Sequence, residues 1–89
     1  MLGRKKVKNA NFSGVIEVKV VNLIIAADPE RFLTSLPIGK YDFLYTKHPL
    51  SPDTDALMVR VSGKDWYVSK KFLMTVPSSA YNLTERNHG

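Results

Sequence analysis

Two histidines, His48 and His88, and eight Asp/Glu carboxylates are the groups of this 89-residue chain that could move protons or hold a metal. There is no cysteine, which removes thiolate nucleophiles, thiolate ligands and disulfides together. Nucleophilic catalysis needs a nucleophile, a base and a group that orients the base. His48 stands beside Pro49 with Asp53 and Asp55 downstream, a pattern that shapes a turn more readily than an acid–base pair. His88 is the penultimate residue of a polar stretch. Asp53 and Asp55 have the spacing of calcium ligands, but the glycine and distal glutamate that complete an EF-hand loop are missing. The five glycines are isolated, so no loop is built to cradle phosphate. These residues point to a chain that is not an enzyme and takes no cofactor and no metal.

Binding chemistry has more to work with. Arg4, Lys5, Lys6 and Lys8 supply four of the five net positive charges, and the remainder of the chain is close to balanced. The basicity is therefore an arm, which can lie along phosphates and release their counterions. Further along, Lys64, Lys70 and Lys71 accompany Trp66 and Tyr67. Small β-barrels use such pairings on single strands, with aromatics under the bases and lysines along the backbone. No helix suited to a major groove is foreseen, so RNA or a single strand fits better than a duplex. The expectation is a small module that binds nucleic acid through the arm and an aromatic, basic sheet surface. The alternative is a protein-binding regulator or inhibitor, such as phages direct at host enzymes, using the 47–55 loop or an edge strand.

Size limits the scaffold that must position these groups. A chain this short forms one domain and buries only about 60–65% of its unfolded surface. The apolar share of 44% is that of a globular chain. The organisation expected is a basic arm over 1–11, a globular domain over 12–77 and a polar tail over 78–89. No apolar run is long enough to span a bilayer, and the charged start is followed by no signal-peptide core. Without cysteine staples, a cytoplasmic location is expected.

Within the domain, Ile16, Val18 and Val20 alternate with Glu17 and Lys19 as in a half-buried strand, and a phase change at Val20-Val21 suggests a bulge. Asp28-Pro29-Glu30-Arg31 reads as a helix start, with Phe32, Leu33 and Leu36 on one face and Pro37 as the stop. A short helix is expected at about 28–36. Tyr41, Phe43 and Tyr45 share a strand face, and 47–55 reads as a loop. Leu57, Val59 and Val61 alternate into a second strand, Ser62-Gly63 turns the chain, and Trp66-Tyr67-Val68 continue it. Ser69-Lys70-Lys71 makes a kink before a last strand through Phe72, Met74 and Val76.

From Tyr41 to Val76, an aromatic strand, an acidic segment, a hairpin, a tryptophan strand and a kink resemble an SH3-like small barrel. The chain lacks that family's adjacent tryptophan pair and its Pro-containing kink. The resemblance implies a shape, a mainly β (α+β by count), barrel-like antiparallel sheet, and no ligand or binding residue.

Overall fold

Alternation of apolar and polar residues builds the centre of the sheet. The computed structural model describes residues 12–86. The arm residues Arg4, Lys5, Lys6 and Lys8 lie outside them, as does His88. Seven strands follow in chain order: β1 (Gly14–Val18), β2 (Ile25–Ala27), β3 (Leu33–Ser35), β4 (Gly39–His48), β5 (Ser51–Val61), β6 (Lys64–Ser69) and β7 (Tyr81–Glu85). One short helix, α1 (Lys70–Leu73), sits between β6 and β7 and is followed by a 3₁₀ turn at Ser78–Ala80. The chain is thus mainly β with one short helix. All strands pair antiparallel in the order β3-β2-β6-β5-β4-β1-β7. Among the described residues β3 and β7 are free edges, so the sheet is open and not a closed barrel.

The register places alternate side chains of the central strands on a common inner face. Phe43 on β4 stands opposite Gly14 on β1 and Val59 on β5, which in turn faces Trp66 on β6. Ile16, Val18, Phe43, Leu57, Val59 and Val68 are all buried there, with Ile24, Ala26 and Leu36 from the β2–β3 region and Leu73 from α1. Each of the larger side chains stabilises the fold by about 1.5–3 kcal/mol through burial. Gly14 lies where β1 and β7 cross closely, and a β-carbon there would collide with the Thr84 carbonyl oxygen.

Local chemistry explains where the structure departs from the sequence reading. The helix expected at 28–36 is instead the β2–β3 hairpin. Asp28 Oδ1 accepts from the N–H groups of Glu30 (2.8 Å) and Phe32 (3.1 Å), and Arg31 N donates to Asp28 O (3.0 Å). Asp followed by Pro is also the signature of a type I turn, and Arg31 at φ 81° completes the three-residue hairpin loop. The strand foreseen through Val20 ends at Val18, because Asn22 at φ 62° turns the chain before β2. The 47–55 loop is the end of the β4–β5 hairpin, with a register jump after Lys47 that accommodates residues 52–54. The strand foreseen at 72–76 gives way to α1, because the Ser69 side chain accepts from Phe72 N (3.3 Å) and starts a helical turn. Residues 78–85, read as part of a polar tail, form the 3₁₀ turn and β7 against β1. The Ser62-Gly63 turn is as foreseen, with positive φ at both residues as a type I′ hairpin requires.

Asp28 is the one charged residue buried among those described. Asp28→Ala should cost about 1–2 kcal/mol in chemical denaturation, as loss of a capping carboxylate does. Asp28→Asn keeps the acceptor and should cost less than half as much. Equal losses would mean that charge, not capping, holds the turn.

Candidate binding surfaces

The five body residues expected to bind nucleic acid are brought to separate places. Lys64 and Trp66 are two apart on β6 and share the inner face. Trp66 packs against the core, and Lys64 Nζ covers its ring at 5.1 Å from the centroid while lying 3.6 Å from Asp28 Oδ2. A tryptophan held between core and ammonium offers no free face for a base. Tyr67 points to the opposite face, where its ring stands 5.9 Å from that of His48. Lys70 and Lys71 sit on α1 in a shallow depression of about 350 Å³ shared with Asp53, Asp55 and Met74. Two carboxylates beside two ammoniums leave little net field for a polyanion. Lys47 and Arg60 are likewise engaged, with Asp55 and Asp65 respectively, each at 2.5 Å. The bond from Lys47 holds the Asp55 carboxyl below its usual range.

Tyr45 links three elements. Its hydroxyl donates to Glu85 Oε2 on β7 (2.7 Å), its backbone N–H donates to Ser13 Oγ (3.1 Å), and Lys70 Nζ lies 5.3 Å from its ring centroid. The bond to Glu85, with burial and the carboxylate charge adding, pushes the phenol up to about 12. Tyr41, whose hydroxyl donates to Pro37 O (2.7 Å), is raised by burial. Both phenols serve as fasteners of the fold. Among the described residues no three His, Asp or Glu side chains gather to hold a metal ion, and no helix is long and apolar enough to cross a membrane.

Sequence reasoning missed the apolar edge. Phe32 and Leu33, read as part of one apolar face of a helix, are 63% and 71% exposed. Leu33 also borders a groove of about 220 Å³ on the outer sheet face with Ile25, Ala27, His48, Tyr67 and Phe72. This volume lies below the ~300–1,000 Å³ of small-molecule pockets, and suits one anchoring side chain. The groove opens because β2 and β6 pair through Ala27 and Tyr67 alone. The signal was present as a stretch from Phe32 to Leu36 with no charge, which suits an edge strand as well as a helix face. No family model, no curated protein and no solved structure matches this chain.

The Tyr45 contact predicts a titration. Its folded-state value is raised above the ordinary 10.0, so its stabilising effect is complete below pH 10 and is lost as pH rises through about 12. Phenolate absorbance should show one tyrosine ionising last, and Glu85→Ala should bring it back toward the others. An unchanged titration in that variant would remove the Tyr45–Glu85 bond from solution.

Proposed function

We propose that this chain is a non-enzymatic protein-binding module that works by strand addition at the β3 edge. The observation that carries the reading is the combination of a free edge, two large exposed apolar residues and an adjoining groove. Strand addition draws affinity from backbone hydrogen bonds and specificity from pockets that take alternate side chains. A groove of this size beside the edge provides such a pocket. The body cations point the same way, since Lys47, Arg60 and Lys64 are each engaged by a carboxylate and Lys70 shares its depression with Asp53 and Asp55.

Nucleic-acid binding is the second reading, favoured by the four cations in the first eight residues. In that case Arg4, Lys5, Lys6 and Lys8 supply the affinity and the body contributes little beyond Lys70 and Lys71. Such binding would weaken steeply with salt.

A photo-reactive side chain at Leu33, compared with one at Lys70, separates the two. The expected result is protein adducts from position 33 that Ser35→Pro abolishes while the fold persists by circular dichroism. Adducts with RNA from position 70, none from position 33, and RNA affinity that falls between about 50 and 200 mM salt and vanishes without residues 1–8 would instead establish the second reading.

A further inference from the structure

The hydrogen bonding of β3 leaves a defined pattern on its open side. Phe32 O accepts from Asp28 N, and Leu36 N donates to Ile24 O, so both residues turn their backbone groups toward β2. Alternate residues of an antiparallel strand direct N–H and C=O to the same side. Thr34 therefore faces β2 as well, and Leu33 and Ser35 direct their donors and acceptors out of the sheet. No described strand lies beyond them.

We infer that this edge pairs with the same edge of a second copy of the chain, antiparallel about a two-fold axis through Thr34. The inference rests on the strand-addition reading above and names its partner. In this register Leu33 stands opposite Ser35 of the partner subunit, and Ser35 opposite Leu33 of the partner subunit. Each such pair exchanges two backbone bonds, so the junction forms about four. Phe32 comes opposite Leu36 of the partner subunit, and covers its exposed ring against the rim of that core. On the outer face the row Tyr67–Ala27–Leu33 continues across the junction.

The edge strand is short, which limits pairing, but from Phe32 to Leu36 it carries no charge, proline or bulge to keep another edge away. Just outside, Arg31 falls opposite Pro37 and Glu30 opposite Ile38, so no like charges meet across the axis. A junction of β3 with the β7 edge of another copy would be heterologous and would build rings or open chains. The β3–β3 junction is isologous and closes as a dimer.

Sedimentation equilibrium of the full chain from about 1 to about 100 µM tests this directly. The expected result is a monomer–dimer equilibrium, with the mass rising from 10.0 kDa toward twice that value. Leu33→Lys should weaken association about tenfold, because it removes an apolar contact and sets two like charges diagonally across the axis, and should leave the dichroism spectrum unchanged. Leu83→Lys, on the β7 edge, should associate like the parent. A monomer throughout the range, or a dimer that Leu83→Lys disrupts and Leu33→Lys does not, overturns the inference. If position 33 then still yields adducts with a different protein, strand addition stands and self-pairing alone fails. If it yields none, both fail.

Discussion

The β2–β3 hairpin depends on the buried carboxylate of Asp28. Burying a charge is costly unless hydrogen bonds and an opposite charge compensate it. Here two backbone N–H groups point at one oxygen, and the Lys64 ammonium approaches the other from β6. Lys64 is largely exposed, so the ion pair by itself contributes little. The N–H bonds set the turn, the turn sets the register of β3, and that register decides which backbone groups face outward. Since β2 pairs with β6 in the ladder at Ala27 and Tyr67 only, the hairpin is held largely by Ile24, Ala26 and Leu36 packing on the core.

Much of the fold was legible because its central strands obey a period of two. Leu57, Val59 and Val61, the Ser62-Gly63 turn and the Trp66-Tyr67-Val68 strand all fall where alternation and turn chemistry put them. The errors lie where one local signal serves two structures. Asp28-Pro29 caps a helix and opens a type I turn with the same side-chain bond, and only the neighbouring β2 decides between them. Ser69 could end a strand as a kink or start a helix, and its bond to Phe72 N makes it the latter. The polar residues of β7 gave no periodic signal, because only backbone pairing with β1 and the Tyr45–Glu85 bond place them.

The candidate site was less legible for a related reason. Lysines and aromatics close in sequence look like one surface, yet adjacent residues of a strand point to opposite faces. Trp66 and Tyr67 are separated by this rule alone. Charge counting found the body close to balanced but could not show which charges meet, because the pairs Lys47–Asp55, Arg60–Asp65 and Lys64–Asp28 join residues that only the fold brings together. At β3 the described residues leave an apolar edge exposed, with Phe32 and Leu33 on it.

Backbone amide exchange, followed residue by residue at low and high concentration, tests the central claim most directly. Slow exchange is expected at Thr34 and Leu36 at both concentrations, with protection at Leu33 and Ser35 that grows with concentration. Leu33 and Ser35 exchanging equally fast at both concentrations would contradict pairing at this edge. Fast exchange at Thr34 and Leu36 would contradict the hairpin on which it rests.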